Sequence, residues 1–524
     1  MKLRETAVAL LVAAAVYAVA VAGLISVSKL TGPAVHELRV LAAIDAAVEL
    51  VKGVSGRGPS ELLRPDQRAS LESGVLVIGG AWSKASLGRI GVLDPLTAMR
   101  LPWLLLGALV PLSLYLIVRP SRGRAGGLMA AALCGVMPRF SHAVVVLDEG
   151  AVVASMACVV IAAHVRAMGP ARSGAPGARW SLAWAAVGAV ALGFGASLSL
   201  GVLWVVPLIV AHFVWARRRI ARRWVARGRV PIPALLILAL PIAPLILLAL
   251  SPALWKASPA LVARVFLAPL EPTVVPSEIA GRVVTGLPVP GHLGWAWLVH
   301  TVPLAVLLAL FVGLSAIFHE HLARRFASGS LRPARDRHAL GALALIGIAG
   351  WLLGVALMPD VLTTFPPRVV TLLPLVAIAS ALGLMKLASF VAAPGLRAVF
   401  VGGTLTVLGS VAVARAATAS VSGGLLTGGA RSAARVLPMG DGSEVAVLAR
   451  SIDALGKASV SIETPPQLPA EIWSRLVEAR RMKTRVTVQP NAELVLQRGR
   501  GAGEVVGEVR RDGFVSWTLF RTGP

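Results

Sequence analysis

Two pairs of neighbouring titratable residues could carry chemistry in a sequence whose charged residues fall mainly between long apolar segments. His36 and Glu37 follow the first apolar segment closely, and a carboxylate beside an imidazole can act as a general base or contact a phosphate. Asp148 and Glu149 stand directly before the fourth apolar segment, where an acid can equally cap a helix. On spacing alone, a functional role and a structural one, as a solvated loop start or a cap, remain open for both pairs.

Two basic residues are candidates for binding an anionic group. Arg368 stands in Phe365-Pro-Pro-Arg-Val369, before the tenth apolar segment, and Lys256 lies in Leu254-Trp-Lys-Ala-Ser-Pro259. Guanidinium and ammonium groups bind phosphate oxygens through charge-assisted hydrogen bonds. The alternative for each is an interfacial residue whose charged end reaches the membrane surface.

No motif of a familiar soluble enzyme class occurs. The sequence lacks G-x-x-x-x-G-K-[ST], G-x-S-x-G and H-E-x-x-H, which argues against a nucleotide-driven motor and against a hydrolase with a familiar nucleophile or zinc motif. The two cysteines, Cys134 and Cys158, lie in apolar segments without metal-ligand spacing. The sequence indicates no particular cofactor, and a divalent metal stays open, although no ligand motif supports one.

The composition predicts an all-α polytopic membrane bundle around these residues. The 524-residue chain is 56% hydrophobic and 15% charged, whereas soluble proteins carry roughly 25% charged residues. Its apolar residues come in unbroken blocks of about 20, the length of a membrane-spanning helix, and a barrel would show short alternating strands instead. The net charge of +26 is spread over many loops rather than gathered in one patch, so we predict no nucleic-acid partner.

The distribution of basic residues predicts the orientation. Every loop on the side of the N-terminus is basic, and the short loops on the other side carry one basic residue each, which indicates a cytoplasmic N-terminus and an extracytoplasmic C-terminus. The abundance of Arg, Ala, Val and Gly is typical of a GC-rich bacterial genome, so we expect the bacterial cytoplasmic membrane. The segments at 180–216 could also form one long helix with a break near Gly195–Ser199. The eleven predicted spans are about 6–28, 97–118, 124–140, 149–167, 180–198, 199–216, 231–251, 294–316, 339–358, 370–390 and 398–418.

We predict two domains, a transmembrane domain at 1–420 and a small extracytoplasmic α/β domain at 421–524. The first contains a large outside loop at 29–96 and a second at 252–293. Within the first loop, Val40–Val51 and Gly74–Trp82 are too short to span and suit interfacial helices. In the second domain we predict strands at Glu444–Leu448, Val460–Ile462, Arg485–Val488, Glu493–Leu496, Val505–Val509 and Val515–Phe520, with helices at 450–457 and 469–481.

Five stretches, taken in order, resemble the GT-C membrane glycosyltransferases. The likeness is to the family 39-like, phospholipid-carrier-dependent enzymes, relatives of protein mannosyltransferases and aminoarabinose transferases. The fourth stretch is similar to the family's Asn-Pro-x-x-Trp segment and the fifth to its Arg-His-x-x-x-x-Pro pattern. The stretches, spread over residues 1–420, are Val35-His-Glu-Leu-Arg39, Leu93-Asp-Pro-Leu-Thr-Ala-Met-Arg-Leu-Pro102, Met137-Pro-Arg-Phe-Ser141 followed by Asp148, Ala249-Leu-Ser-Pro-Ala-Leu-Trp-Lys-Ala-Ser-Pro259, and Pro366-Pro-Arg-Val-Val-Thr-Leu-Leu-Pro374.

The resemblance implies an inverting transfer of a sugar from a polyprenyl-phosphate donor to a lipid, glycan or protein acceptor of the cell envelope. An acid of loop 1 would act as base on the acceptor. Carried over by position, Glu37 is the loop-1 acid and Asp148 the second-loop acid, while Arg368, Lys256 and His36 would contact the donor and its phosphate.

Departures from the family pattern keep two alternatives open. Relatives usually have Asp-Glu where this chain has His36–Glu37, and a His-Pro-Pro segment where it reads Arg68-Ala-Ser-Leu-Glu-Ser-Gly74. Either the acceptor differs, or the chain is a catalytically degenerate relative that binds a lipid-linked glycan or an envelope-assembly partner. The other alternative is a lipid or solute transporter or flippase, against which the large outside segments argue.

Overall fold

The protein is mostly helical, with a small β-sheet near its C-terminus. A computed structural model describes residues 2–31, 37–51, 74–168, 176–228, 230–251, 277–279, 282–284, 298, 302–326, 335–357, 370–418, 442–464, 471–478, 482–490, 492, 494–498, 504–511 and 514–521. His36, Lys256 and Arg368 lie outside the described residues.

The helices up to residue 418 form one bundle around a continuous apolar core. A two-stranded antiparallel ribbon, β1 (Ser277–Ile279) and β2 (Arg282–Val284), interrupts their order. The helices are α1 (Lys2–Leu30), α2 (Leu38–Val51), α3 (Gly74–Ser83), α4 (Pro95–Gly135), α5 (Pro138–Val145), α6 (Glu149–Ala167), α7 (Pro176–Leu198), α8 (Val205–Ala216), α9 (Arg218–Val225), α10 (Ala234–Leu250), α11 (Leu304–Phe326), α12 (Arg335–Leu357), α13 (Leu373–Phe390) and α14 (Pro394–Thr418).

Five of the described helices are long and apolar enough to cross a membrane, so the chain is a multi-pass membrane protein. The count of eleven spans stays a prediction. The five spanning candidates are Ala7–Lys29, Pro95–Gly135, Glu149–Ala167, Trp180–Leu198 and Leu373–Phe390. Shorter apolar helices cover Leu200–Ala216, Ala234–Leu250, Leu304–Glu320, Ala339–Gly354 and Pro394–Leu408.

Helix α4 is a hairpin of two arms, because the backbone leaves helical geometry at Gly123 (φ 74°, ψ −174°). Residues with a side chain rarely adopt this conformation, so glycine permits the reversal. The second arm runs back along the first, since Gly127 lies against the Tyr115 ring and Gly126 against Val118. The sequence predicted two helices here, 97–118 and 124–140, and the second arm ends earlier than predicted, at Gly135.

The segment at 180–216 is two helices rather than one. Ser199 is extended (φ −161°, ψ 129°) between α7 and a 3-10 turn at Leu200–Trp204, and α8 follows that turn. The Ser199 hydroxyl accepts a hydrogen bond from the Gly201 N–H at 3.1 Å, which satisfies one of the free donors at the new helix start.

The C-terminal segment forms a five-stranded mixed sheet of order β4-β3-β5-β7-β6. Strand β3 pairs in parallel with β4 and β5, and β7 pairs antiparallel with β5 and β6. Two helices pack on the sheet around a buried core that includes Ile462, Trp473 and Leu519. The elements are α15 (Gly442–Asp453), β3 (Ser459–Glu463), α16 (Glu471–Glu478), β4 (Arg485–Val488), β5 (Leu494–Arg498), β6 (Glu504–Arg511) and β7 (Phe514–Arg521).

The predicted strand at Glu444–Leu448 is wrong, because these residues belong to α15. Leu448, Ala449 and Ile452 are buried together, and their spacing of one and four residues is that of one helix face. An alternation of only five residues fits both a strand and a short helix. The other five strands are confirmed, with ends within two residues of the prediction.

Candidate functional site

Glu37 is fully buried and forms a two-point ion pair with Arg100, which lies in the first arm of α4. Arg100 donates from Nε to Glu37 Oε1 at 2.6 Å and from Nη2 to Oε2 at 2.7 Å. Both residues are 0% exposed. This is the fork-to-fork geometry in which a guanidinium holds a carboxylate in a fixed orientation.

The third nitrogen of the Arg100 guanidinium, Nη1, binds the C-terminal end of α1. This nitrogen donates to the carbonyl oxygens of Thr31, at 2.8 Å, and Ser28, at 3.4 Å. The last carbonyls of a helix have no partner within the helix, so a buried cation there satisfies them and complements the helix dipole. A hydrogen bond of 3.2 Å between the hydroxyls of Ser28 and Thr97 joins the same two helices.

The start of α4 sets the position of Arg100. Asp94 caps the helix, since its Oδ1 accepts from the Thr97 N–H at 3.1 Å, and Pro95 occupies the first helical position, which suits proline. Arg100 then follows within two turns, close to the end of α1. Sequence reasoning gave Arg100 no role. The available signal was a charge inside a predicted span, because such a charge needs a partner.

Asp148 ends one helix and begins the next. Its backbone N–H donates to the Ala143 carbonyl at 2.9 Å, which closes α5 in a Schellman-type turn, and its side chain accepts from the Gly150 N–H at 2.7 Å, which caps α6. Leu147 occupies the left-handed position of that turn (φ 57°), where glycine is usual. Asp148 is therefore buried and fixed from both sides.

Glu149, the next residue, is the exposed acid of this pair. Its Oε1 accepts a hydrogen bond from the Ser199 hydroxyl at 2.5 Å, so the carboxylate bridges the start of α6 and the turn after α7. An exposed carboxylate with one engaged oxygen keeps capacity to accept a proton or a hydrogen bond from another molecule.

The acids of the two loops lie at the same end of the bundle. Arg119 of α4 and Arg166 of α6 are close enough to repel each other electrostatically. The first arm of α4 and α6 are therefore neighbours at the end of the bundle that lies opposite to Glu37. Arg100 is 19 residues, or about 28 Å, from Arg119, and Glu149 is 17 residues, or about 26 Å, from Arg166. The two helices therefore begin at the same level, with Glu37 and Asp148 at their starts.

The C-terminal domain contacts the helix that follows Glu37. Asp45 of α2 forms ion pairs with Lys84, directly after α3, and with Arg475 of α16. Arg475 also contacts Glu478 at 3.3 Å, so the four charges alternate in sign. Burial lowers the pKa of the Lys84 ammonium, and the charge of Glu478 opposes that shift. Leu38 packs against the core of the C-terminal sheet.

Metal binding has no visible basis in the described part of the chain. Its residues contain no group of three or more His, Cys, Asp or Glu side chains that could hold a metal ion. The two acids of the predicted site are engaged instead by Arg100 and by the start of α6. Of the predicted phosphate-binding residues, none falls within the described ranges.

Solved structures of an ArnT, an archaeal oligosaccharyltransferase and an arabinofuranosyltransferase are similar to the chain. ArnT from Cupriavidus metallidurans is similar in its apo state (12% identity, TM-score 0.48, covering 99% of this chain and 98% of that one) and bound to undecaprenyl phosphate (12%, 0.46, 98% and 98%). The apo Archaeoglobus fulgidus oligosaccharyltransferase is similar at 13% identity and a TM-score of 0.47, over 92% of this chain and 65% of that one. The arabinofuranosyltransferase AftD from Mycobacteria is similar at 14% identity and a TM-score of 0.44, over 98% of this chain and 40% of that one.

No protein-family model matches the sequence, and no curated protein does.

Proposed function

We propose that the protein is a membrane glycosyltransferase that moves a sugar from a polyprenyl-phosphate donor to a lipid, glycan or protein acceptor of the bacterial cell envelope. The observation that carries the proposal is that acids from two separate loops, Glu37 and Asp148–Glu149, lie at the same end of the helix bundle. These are the loops in which the sequence motifs resemble those of the GT-C enzymes.

The proposal sets this end of the bundle on the outer face of the cytoplasmic membrane. In the eleven-span topology with a cytoplasmic N-terminus, α1 ends and α4 begins outside. Arg119, Arg122 and Arg166 lie at the other end, as the positive-inside rule requires. Residues 421–524 then form an extracytoplasmic domain that touches loop 1 through Arg475.

The proposed reaction is an in-line displacement at the anomeric carbon. A carboxylate accepts the proton of the acceptor hydroxyl or amine while its oxygen or nitrogen bonds to that carbon. The bond from carbon to the phosphate oxygen breaks, polyprenyl phosphate leaves, and the configuration inverts. Following the motif resemblance, Glu37 and Asp148 are the proposed acids, and Lys256, Arg368 and His36 hold the donor phosphate.

The buried pairing of Glu37 favours a second candidate function. Both of its carboxylate oxygens accept hydrogen bonds from Arg100, so action as a base requires the pair to separate. A relative that binds a lipid-linked glycan without transferring the sugar needs no such separation. In that case Glu37 orders loop 1, and the exposed Glu149 contacts the bound glycan.

The two candidates are separated by measuring binding and transfer on the same purified protein. Undecaprenyl phosphate, the lipid bound in one of the similar structures, serves for binding by native mass spectrometry. Transfer is followed with labelled polyprenyl-phosphate hexoses and pentoses and bacterial membranes as acceptor. We expect both binding and transfer. Binding without transfer would favour the second candidate, and the absence of both would contradict both.

Substitutions then test the acids. Replacing a general base lowers a rate by about 10²–10⁴-fold. Asp148→Asn should leave the fold intact, since Asn caps a helix as well as Asp, so a loss of transfer would mark a chemical role. Glu320→Gln is the matched control, because Glu320 is paired with Arg122 (3.7 Å) at the opposite end of the bundle. This variant should keep the transfer activity of the wild type. Full transfer by Asp148→Asn would remove Asp148 from the reaction.

A further inference from the structure

A cluster of aromatic and cationic side chains lies at the end of the bundle opposite to Glu37. Tyr115 is fully buried in the first arm of α4, and the Arg119 guanidinium one turn later lies 6.0 Å from its ring centroid. From α6, the Arg166 guanidinium lies 6.0 Å from the ring centroid of Trp184 in α7. The cluster of Tyr115, Arg119, Arg166 and Trp184 therefore joins three helices at one level.

Two donors of this cluster are buried without a hydrogen-bond partner among the described residues. They are the Tyr115 hydroxyl and Arg166 Nε. A buried polar group left unpaired carries a substantial free-energy cost, which is larger for a charged group, so native structures supply a partner. Because a guanidinium only donates and a phenol donates readily, the missing partner is an acceptor.

The charge of the cluster is also unbalanced. Within the described part of the chain, neither Arg119 nor Arg166 has an acidic partner, whereas neighbouring Arg122 has Glu320. The two guanidiniums are close enough to repel each other. Two cations held together in a partly buried place indicate an anion between or beside them.

We propose that this cluster binds the phosphate of an anionic phospholipid of the leaflet at that end of the bundle. Two guanidiniums and a phenol hydroxyl supply donors for phosphate oxygens, with the geometry that favours Arg at such sites. Tyr and Trp side chains are typical of headgroup depth, and basic pockets between spanning helices accept anionic headgroups. A free phosphate ion offers the same oxygens but no acyl chains to pack against the apolar helix surfaces.

The test uses the full-length protein purified in detergent and native mass spectrometry with phosphatidylglycerol, phosphatidylcholine or inorganic phosphate as probe. We expect phosphatidylglycerol to bind tightly and phosphatidylcholine weakly. Arg166→Gln should weaken phosphatidylglycerol binding by roughly 10-fold, and Arg119→Gln with Arg166→Gln by more. Arg124→Gln is the matched control, because Arg124 is exposed at the same end and should bind as the wild type does.

Three results would overturn the proposal. Equal loss of binding in the Arg124 control would mean a diffuse surface charge. Equal binding of phosphatidylglycerol and phosphatidylcholine would mean that the protein does not distinguish their headgroups. Competition by millimolar inorganic phosphate would assign the cluster to a free anion. The thermal transition of each variant checks that it is folded. A second double variant, Arg119→Lys with Arg166→Lys, keeps both charges and should retain part of the affinity for phosphatidylglycerol.

Discussion

Replacing only one residue of the Glu37–Arg100 pair should strongly lower the free energy of unfolding, because the other charge stays buried without its partner. Arg100→Met leaves the Glu37 carboxylate buried without the two short bonds that hold it. Breaking a buried ion pair from one side costs about 3–5 kcal/mol, because an uncompensated charge stays behind. The change also removes the hydrogen bonds that Arg100 donates to the carbonyls of Thr31 and Ser28, which adds to the cost.

Loss of both charges should be cheaper than the sum of the two single losses. Glu37→Gln alone leaves a buried guanidinium with a weaker acceptor, whereas the double variant leaves only a neutral amide. We expect a coupling energy of about 2 kcal/mol or more between the two positions, since residues in one buried network deviate from additivity by up to about 3 kcal/mol.

The coupling can be measured by unfolding in mixed micelles, read from tryptophan fluorescence, for the wild type, both single variants and the double variant. The control cycle is Arg122→Met with Glu320→Gln, a longer and more exposed pair at the opposite end, for which we expect about 0–1 kcal/mol. Additive effects at Glu37 and Arg100 within about 0.5 kcal/mol, or a coupling no larger than the control, would refute the assignment of this pair as the anchor of loop 1.

Three further predictions concern the packing and the topology. Neutralising one charge, Asp45→Asn or Arg475→Gln, should loosen the contact between loop 1 and the C-terminal domain, and the double variant should loosen it by less than the sum, as hydrogen exchange in α2 would report; additive effects would contradict a direct pair. Gly313→Leu should prevent close packing of α11 on α13, because even a Cβ there would overlap the Ala379 carbonyl oxygen, and the thermal transition should fall well below that of Gly350→Leu, which meets open space. A reporter phosphatase fused after residue 430 should be active if the C-terminus is extracytoplasmic, and a well-expressed inactive fusion would mean an even number of spans.

Local patterns in the sequence predicted most of the elements, because their causes are local. The two short helices expected at Val40–Val51 and Gly74–Trp82 are helices in the structure. Asp94-Pro95 marks the start of α4 through a cap and a proline that suits the first turn. The wrong strand at Glu444–Leu448 arose where a short alternation fits two conformations equally.

Long-range pairing could not be predicted in the same way. Arg100 meets Glu37 across 63 residues, and the sequence shows only that a charge lies inside an apolar segment. The contact of Asp45 with Arg475 joins residues still farther apart. Asp148 was predicted as either a cap or a functional acid, and it is indeed a cap; whether it also takes part in a reaction stays a prediction, because capping by Asp does not prevent contact with a substrate.

Glu37 and Leu38 are consecutive residues held by different parts of the molecule. The Glu37 carboxylate is fixed to Arg100 inside the helix bundle, while the Leu38 side chain packs on the core of the C-terminal sheet. Because the pair is bidentate, Glu37 cannot turn far without losing two charge-assisted bonds. If Glu37 is the base, a displacement of α2 together with the C-terminal domain is the direct way to release it. If Glu37 only anchors loop 1, the same displacement should be unfavourable, and the double variant at Glu37 and Arg100 should keep transfer activity wherever it keeps its fold.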